Sequence, residues 1–356
     1  MDKVGKKKIG LALALCLCFT VWNGCGSRVS SQPETLRIGV AVYNGRDKFL
    51  EGVRSQIEKI VACQDSVGPQ IQVEIVDSES RQALQNEQVE NLIREEYDVI
   101  CVNLVERTNA AVIAQLAEDA EIPLIFFNRE PLKEDICDRG QVYYIGADAA
   151  ISAKMQAQIV IDAYREEPGS IDKNGDGRVQ YAMLEGEMGH QDSIIRTERS
   201  VEELEDAGLC LEKAASGCAN FERGQAAALV ERWIKEDLKI ELILSNNDDM
   251  ALGAIDALEE YDLLDQVTVV GIDGTQDGKA AVDQGKMLGT VESDGELYAK
   301  TLYEAACCLA EGKELDTCME LEDDRYLWIP WEYYGKEPPK TAVFLETSIN
   351  ILDFAP

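Results

Sequence analysis

The segment Tyr181-Ala-Met-Leu-Glu-Gly-Glu-Met-Gly-His190-Gln-Asp192-Ser-Ile-Ile-Arg196 joins a strand, a loop and a helix. The apolar run from Val179 to Leu184 predicts a buried strand. Asp192 and Arg196 are four residues apart, so they share one face of the helix that follows. The chain's only histidine, His190, lies between them and the strand. Because ligands bind at the carboxyl ends of strands in open α/β sheets, these side chains form a candidate site for a polyhydroxyl ligand. The alternative is an ordinary loop histidine beside an N-capping aspartate.

Short apolar strands alternate with helical patterns along the rest of the chain. Strands are predicted to begin near residues 37, 72, 98, 123, 143, 179, 240, 267 and 288. This alternation predicts parallel, doubly wound sheets, and 356 residues hold too many such units for one compact sheet. We therefore expect two α/β domains. Polar or aromatic side chains follow many of the strands, and they predict a polar cleft if the two carboxyl edges face each other: Asp47, Phe49, Asn103, Asn128, His190, Asn247 and Asp273.

The N-terminus has the features of an export signal. Four lysines precede an apolar run of about thirteen residues, which is too short to span a membrane comfortably. Residues 1–24 are therefore predicted to be a signal peptide. Gly24-Cys25-Gly26-Ser27 resembles the cleavage box of bacterial lipoproteins, so Cys25 is the predicted lipidation site and residues 25–36 a tether. The membrane is reached through this lipid anchor only, and the protein is expected on the extracytoplasmic face or in the periplasm.

The net charge and the spacing of the cysteines argue against several classes of function. The net charge of −33 argues against a nucleic-acid partner. None of the eleven cysteines forms a Cys-x-x-Cys motif, which argues against metal clusters and redox motifs. Cys101 is predicted to be a buried thiol, and Cys210 with Cys218 is one possible disulfide. Most of the cysteines in the mature chain are expected to be free thiols.

Residues 172–180 match the spacing of a calcium loop. Oxygen-bearing side chains fall at positions 1, 3, 5 and 9, a glycine falls at position 6, and position 7 can supply its carbonyl oxygen. The predicted ligands from the loop are Asp172, Asn174, Asp176, Arg178 and Gln180. Position 12 is Met183 instead of the usual glutamate, so a glutamate from elsewhere is required. The alternative is a solvated turn rich in Asp, Asn and Gly.

Together these residues resemble the periplasmic galactose/glucose-binding proteins of bacterial ATP-driven sugar importers. The resemblance extends from about residue 37 to residue 291. It is carried by the calcium loop and by these motifs: Arg37-Ile-Gly-Val-Ala-Val-Tyr43, Asn103-Leu-Val, Phe-Phe-Asn128-Arg-Glu-Pro, Gly-Glu-Met-Gly-His190-Gln-Asp192, Asn246-Asn247-Asp248 and Gly-Ile-Asp273.

The resemblance implies a role for each matching residue. Seven side chains are expected to hydrogen-bond the hydroxyls of a pyranose: Asp47, Asn103, His190, Asp192, Arg196, Asn247 and Asp273. Phe49 and Phe221 are expected to sandwich the sugar ring. Phe221 stands where the family usually has Trp, and Ser293 stands where it has a hydrogen-bonding Asn, so the choice of hexose stays open. Glu241 matches the glutamate that closes the family's calcium shell, and the metal is expected to be structural.

The resemblance also implies an architecture and a mechanism. The fold is the type I periplasmic binding fold, with an N-terminal domain at 37–127 plus 293–328 and a C-terminal domain at 128–292 plus 329–356. Three crossings, near Asn128, Glu292 and Trp328, form the hinge. The domains close on D-galactose, D-glucose or a methyl-galactoside, and the membrane subunits of an ABC transporter receive the closed form. The aromatic tail beyond Leu327 departs from the family and has no assigned role.

Two other functions fit parts of the sequence. Asp47 with Asp192 or Asp273 could form the acid–base pair of a glycosidase, although no nucleophile motif is present and an enzyme is not expected. Alternatively, the chain binds another monosaccharide and acts mainly as a ligand carrier for a chemoreceptor or a sensor kinase.

Overall fold

The computed structural model describes residues 35–63, 69–137, 139–322 and 325–335. The predicted signal peptide, Cys25 and most of the predicted tether lie outside these ranges. The first strand begins at Thr35, so the last two residues of the predicted tether belong to a sheet. None of the helices in the described ranges has the length and apolar content that crossing a membrane requires.

Strands and helices alternate as the apolar pattern predicts. The strands are β1 (Thr35–Val42), β2 (Gln70–Asp77), β3 (Val99–Val102), β4 (Leu124–Phe127), β5 (Val142–Gly146), β6 (Val179–Glu185), β7 (Leu211–Cys218), β8 (Leu242–Ser245), β9 (Thr268–Val270), β10 (Gly289–Ser293), β11 (Tyr326–Trp328) and β12 (Trp331–Gly335). The helices are α1 (Lys48–Ala62), α2 (Gln82–Arg94), α3 (Ala110–Asp119), α4 (Glu134–Cys137), α5 (Ala149–Glu166), α6 (Gln191–Asp206), α7 (Arg223–Lys235), α8 (Asp248–Glu260), α9 (Gln276–Asp283) and α10 (Gly295–Ala310).

The strands form two six-stranded sheets, one in each domain. The order in the first sheet is β2-β1-β3-β4-β5-β11, and the order in the second is β7-β6-β8-β9-β10-β12. All neighbouring strands are parallel except β10 and β12, which are antiparallel. The predicted fold class, two doubly wound parallel-sheet domains, is confirmed. In this topology the strand order reverses between β1 and β3, and again between β6 and β8, and ligands bind at such points.

Apolar side chains cover both faces of each sheet. In the first domain, Val40 and Cys101 pack against α1 and α10, while Ala41 and Ile100 pack against α2 and α3. In the second domain, two corresponding clusters lie on opposite faces of the sheet. Because both faces are buried, the strands read as continuous apolar runs, and for that reason the sequence locates most of them.

The structure corrects the predicted domain boundary. β5 pairs with β4 and β11, so residues 128–146 belong to the first domain. The chain first leaves that domain between Gly146 and Ala149, and the predicted crossing near Asn128 is wrong. Asn128 follows an apolar strand in the same way that a domain-ending residue would, and the sequence does not reveal which sheet the next strand joins. The second and third crossings lie at residue 294 and at residues 329–330, near the predicted positions.

Most of the cysteines in the described part of the chain are unpaired. In the described ranges, Cys308 and Cys318 form a disulfide, and six other cysteines are free, among them Cys101, Cys210 and Cys218. The possible Cys210–Cys218 pair is therefore not formed. Cys101 is fully buried, as predicted, and burial raises the pKa of its thiol well above the ordinary value.

Candidate functional site

A small cavity of about 40 Å³ lies between the two domains, at the carboxyl edges of both sheets. Its wall includes eight of the ten residues that the sequence predicts for the ligand: Asp47, Phe49, His190, Asp192, Arg196, Phe221, Asn247 and Asp273. Three further residues complete the wall: Tyr43, Asn128 and Arg129. The ligand contacts of these side chains stay predictions, but the structure brings them together from loops that are far apart in the sequence.

The turn from β1 to α1 supplies the first wall. Asp47 is the N-cap of α1, and its Oδ1 accepts a hydrogen bond from the amide of Leu50 at 3.0 Å. The hydroxyl of Tyr43 donates to Asp47 Oδ2 at 2.7 Å. Phe49 packs edge-on against Tyr298, with ring centroids 5.4 Å apart. The carboxylate and the ring are therefore held in place before a ligand enters, which reduces the entropic cost of binding.

Arg129, which directly follows the strand-end residue Asn128, spans the cleft. Its guanidinium lies 3.5 Å from the ring centroid of Tyr43. Nη1 donates to the carbonyl of Val105 at 2.8 Å, and Nη2 reaches Glu187 in the second domain at 2.5 Å. Sequence reasoning missed Tyr43 and Arg129 as wall residues. The available signal was their position: each lies within two residues of the end of a predicted strand.

His190 directly precedes α6 and is held by a hydrogen bond to that helix. Its Nδ1 accepts a hydrogen bond from the amide of Asp192 at 3.1 Å, which makes His190 the N-cap. Burial lowers the pKa of His190 well below the ordinary value, and nearby arginines, Arg129 foremost, lower it further. The ring is therefore neutral at pH 7, and with Nδ1 as the acceptor its proton lies on Nε2, where it can be donated to a hydroxyl. The ring edge also contacts Phe221, with centroids 5.2 Å apart.

Arg196 is the central cation of the cavity. It is 6% exposed, and its Nη1 donates to the carbonyl of Asn246 at 2.8 Å. Carboxylate oxygens of Asp273 and Asp192 lie 3.4 and 3.6 Å from its guanidinium nitrogens. Burial raises the pKa of Asp192 and raises that of Asp273 well above the ordinary value, while Arg196 opposes both shifts. Two buried carboxylates thus depend on one guanidinium for their ionised form.

The loop after β8 completes the second wall. Asn247 is the N-cap of α8, with Oδ1 accepting from the amide of Met250 at 3.0 Å. Its Nδ2 is 3.5 Å from the carbonyl of Phe221. The Phe221 ring packs directly on Gly186, where a Cβ atom would lie 2.1 Å from it. A glycine is required at this point so that the ring can reach the cavity.

Two predicted ligand residues lie outside the cavity wall. Asn103 is fully buried, and its side chain is already bonded to the amide of Tyr43, the carbonyl of Phe127 and the Oδ1 of Asn128. It therefore supports the wall instead of forming it. Ser293 ends β10 and is 4% exposed, and its hydroxyl has no hydrogen-bond partner among the described residues.

A second cavity, of about 400 Å³, adjoins the first at the rim of the cleft. It shares Arg129 and His190 with the first cavity and is lined by both domains. A hydrogen bond from Gln191 Nε2 to Glu130 Oε2, at 2.7 Å, joins the domains beside it. The cavity at the rim is therefore larger than the one at the centre, and both domains contribute charged side chains to it.

Five of the six predicted metal ligands lie on one loop of the second domain, residues 172–180, and the sixth, Glu241, is hydrogen-bonded to that loop. Both carboxylate oxygens of Glu241 accept amide hydrogen bonds from this loop, at 2.7 Å from Asn174 and 3.1 Å from Gln180. Asp172 accepts from the amides of Gly175 and Gly177 at 2.8 and 2.9 Å. Within the described part of the chain, no group of three His, Cys, Asp or Glu side chains is arranged to hold a metal by itself. Amide and carbonyl oxygens would have to complete the set, and an all-oxygen set of this kind suits calcium.

Comparisons with known proteins agree with this geometry. The family described as a periplasmic binding protein domain matches residues 38–314. The D-galactose/methyl-galactoside binding periplasmic protein MglB of Haemophilus influenzae is 31% identical over 325 residues, which cover 90% of this chain and 95% of that protein. A putative rhizopine-binding protein of Rhizobium meliloti is 29% identical over 310 residues, covering 86% of this chain and 92% of that one. Among solved structures, an ABC transporter solute-binding protein from Bacillus halodurans with bound myo-inositol is 31% identical, with a TM-score of 0.70, covering 86% of this chain and 96% of that one.

Proposed function

This chain belongs to the periplasmic binding protein family, and we propose that it captures a hexose, D-galactose or D-glucose, or a methyl-galactoside, by hinge closure and delivers it to an ABC importer. One observation carries the proposal: a cavity whose wall combines charged groups, amides and two phenylalanine rings, contributed by both domains. Sugars present hydroxyls around the ring edge and C–H groups on its faces. The polar and aromatic parts of the wall match these two surfaces.

The polar wall residues differ in whether they donate or accept hydrogen bonds. Asp47, Asp192 and Asp273 accept hydrogen bonds from hydroxyls, whereas Arg196 and the Nε2 of His190 donate them. Each hydroxyl that is buried without a partner costs about 1–3 kcal/mol, so a sugar with the wrong hydroxyl orientation binds less well. Phe49 and Phe221 supply the apolar contact for the ring faces.

Closure joins the two halves of the site. The Arg129–Glu187 ion pair and the Gln191–Glu130 hydrogen bond cross from one domain to the other at the rim. A sugar between the domains adds further cross-domain bonds and shifts the hinge toward the closed form. The 400 Å³ cavity at the rim has room for the methyl group of a methyl-galactoside.

Calorimetric titration of the mature protein with D-galactose, D-glucose, D-ribose and myo-inositol tests the proposal. We expect micromolar or tighter binding of a hexose, and a loss of at least tenfold in Asp192→Asn. Asp206→Asn is the matched control, since Asp206 is exposed at the far end of the same helix. Tighter binding of myo-inositol than of both hexoses would support the binding site but would assign it a cyclitol ligand in place of a hexose. No binding of any of the four would refute the proposal.

A catalytic function is set aside. The family consists of solute-binding proteins without enzymatic activity, so this chain is not an enzyme. The second candidate function is that of a ligand carrier for a chemoreceptor or sensor kinase, and it uses the same cavity and the same closure. Deleting the chain's gene separates the two: loss of sugar uptake supports transport, whereas loss of chemotaxis with unchanged uptake supports sensing.

The loop at 172–180 with Glu241 is proposed to hold a structural calcium ion. The resident metal would supply positive charge against Asp172, Asp176 and Glu241, and it would tie the loop to the strand that follows Glu241. We expect chelation to lower the melting temperature of the protein and calcium to restore it. In Glu241→Gln the effect should disappear, while Glu236→Gln, an exposed control in the same domain, should retain it. A melting temperature that does not respond to chelation would refute the metal.

We also propose that the protein is exported and carries a lipid on Cys25. The family supports an extracytoplasmic location, and the sequence around Cys25 supports the lipid. Labelling with a fatty-acid probe should mark the protein, and Cys25→Ser should abolish the label. A labelled Cys25→Ser variant would contradict this assignment.

A further inference from the structure

Trp331 lies where the three crossings between the domains meet. It is the first residue of β12, directly after the third crossing at residues 329–330. Its position follows from the sheet topology, because β11 belongs to the first sheet and β12 to the second. Trp331 is not among the residues that line the 40 Å³ cavity.

The indole of Trp331 is hydrogen-bonded to the backbone at the first crossing. Trp331 Nε1 donates a hydrogen bond to the carbonyl of Asp148 at 2.8 Å. Asp148 is the N-cap of α5, and its side chain accepts from the amide of Ala150 at 2.7 Å. The same carbonyl also accepts the amide of Ser152 at 3.2 Å. The indole therefore fixes the point at which the chain enters the second domain.

The backbone of Trp331 adjoins the second crossing. It is the antiparallel partner of Ser293, the last residue of β10. The amide of Ser293 in turn donates to the carbonyl of Asp273 at 3.2 Å, so this pair lies next to a carboxylate of the cavity. A rotation at residue 294 moves Trp331 together with that strand end.

The ring of Trp331 also faces the ligand site. The Cζ atom of Arg196 lies 5.5 Å from the ring centroid, within the range of a cation–π contact. Arg196 is buried and holds Asp192 and Asp273. Its Nε has no hydrogen-bond partner among the described residues, so the aromatic face is an important restraint on the guanidinium plane.

We propose that Trp331 is a positioning residue that couples the hinge to the sugar site. It holds the guanidinium of Arg196 in the orientation that the closed domains require, and it is itself held by residues at the other two crossings. Because Trp331 directly follows the crossing at residues 329–330, a change in the backbone of that crossing shifts the indole against the guanidinium of Arg196, although both lie in the second domain. This inference rests on the proposed sugar-binding function, and it adds a residue that lies outside the cavity wall.

Trp331 and Trp328 form a matched pair for the test. Both are half-buried tryptophans on either side of the same crossing. Trp328 stacks on Tyr326 at 5.6 Å and meets Tyr144 at 5.5 Å, within the first domain. Trp331→Phe keeps an aromatic face but removes the bond to Asp148, and Trp331→Leu removes both. Trp328→Leu removes a similar aromatic contact that does not involve Arg196.

For each variant we would measure the affinity for D-galactose and D-glucose, the melting temperature, and the radius of gyration by small-angle scattering. We expect Trp331→Leu to weaken hexose binding by roughly tenfold, since a partly desolvated cation–π contact has that order of effect. Trp331→Phe should bind with an intermediate affinity. Trp328→Leu should bind within about twofold of the wild type even if it melts earlier. Hexose should change tryptophan emission in the wild type and in Trp328→Phe, but not in Trp331→Phe.

The outcomes distinguish a failure of the proposed role of Trp331 from a failure of the proposed sugar-binding function. Wild-type affinity in Trp331→Leu, or an equal loss in Trp328→Leu, would overturn the coupling. If Trp331→Leu does not fold, the affinity and emission of Trp331→Phe decide. If the wild type binds neither hexose, the sugar assignment fails, and small-angle scattering of the unliganded proteins still tests the hinge. A larger radius of gyration in Trp331→Phe than in Trp328→Phe supports the coupling, and equal values overturn it.

Discussion

Arg196→Met tests whether one guanidinium keeps two buried carboxylates ionised. The side chains of Arg196, Asp192 and Asp273 are 8%, 11% and 13% exposed, so solvent screens their interaction little. Removing one partner of a buried ion pair costs about 3–5 kcal/mol. The contacts here are long, at 3.4 and 3.6 Å, so we take the lower end, about 3 kcal/mol. For a domain of roughly 150–250 residues that corresponds to a melting temperature about 6–12 °C lower.

The loss should depend on pH with a definite sign. The pKa values of Asp192 and Asp273 are raised in the folded protein, so the folded state binds protons that the unfolded chain releases. Stability therefore rises as the pH falls through these raised values. Without Arg196 both pKa values rise further, so more of the destabilisation is relieved by protonation. We expect the difference between the variant and the wild type to narrow as the pH is lowered from about 8 to about 5.

Urea unfolding at several pH values measures this effect. Arg199→Met is the control, because Arg199 lies on the same helix with 59% of its side chain exposed and pairs with Glu202 at 2.8 Å. An exposed pair of this kind contributes less than about 1 kcal/mol. If Arg196→Met unfolds like Arg199→Met, or if its deficit grows at low pH, the assignment of Arg196 as the required counter-ion is wrong.

Three further substitutions test other parts of the site. Gly186→Ala places a Cβ 2.1 Å from the Phe221 ring and should weaken hexose binding roughly tenfold in calorimetry; Gly224→Ala, which meets no heavy atom within 4 Å, is the control, and equal affinities would contradict the packing argument. Burial raises the pKa of Asp248 to about 7, so the folded protein should lose stability as the pH rises through about 7, and Asp248→Asn should reduce that dependence in urea unfolding between pH 6 and 8; an unchanged slope would disprove it. Arg129→Gln removes a cross-domain ion pair whose acidic partner is 40% exposed, so losing the pair should cost less than about 1 kcal/mol of stability. The unliganded variant should nevertheless have a larger radius of gyration in small-angle scattering, and an unchanged value would contradict the role of this pair in holding the domains together.

Local pattern accounts for most of the fold. Strands buried on both faces read as apolar runs, and most of the helices follow them at the predicted places. β7 was missed because an edge strand with many exposed residues, Leu-Glu-Lys-Ala-Ala-Ser-Gly-Cys, has no apolar run. β12 was missed as a strand, although residues 329–356 were correctly assigned to the C-terminal domain, in which β12 pairs with β10. The helix α9 was missed because its eight residues hold few apolar side chains.

The candidate site was only partly predictable. A strand-end position marks a residue as near the carboxyl edge of its sheet, which is why eight predicted side chains meet at one cavity. It does not reveal the direction of the side chain. Asn103 turns inward and binds Tyr43 and Asn128, whereas Arg129 turns across the cleft to the other domain. Which of two neighbouring polar residues faces the ligand depends on packing against other strands.

The sequence by itself determined the alternation of elements, the two-domain class, the loop at 172–180 and the polar residues at the strand ends. Each of these depends on neighbours within about ten residues, so it is present in the chain before folding. Only the tertiary structure decided the first crossing, the Cys308–Cys318 disulfide, the arginine that spans the cleft and the contacts of Trp331. Those features join residues that are distant in the chain, and their pairing is selected by the packing of both sheets at once.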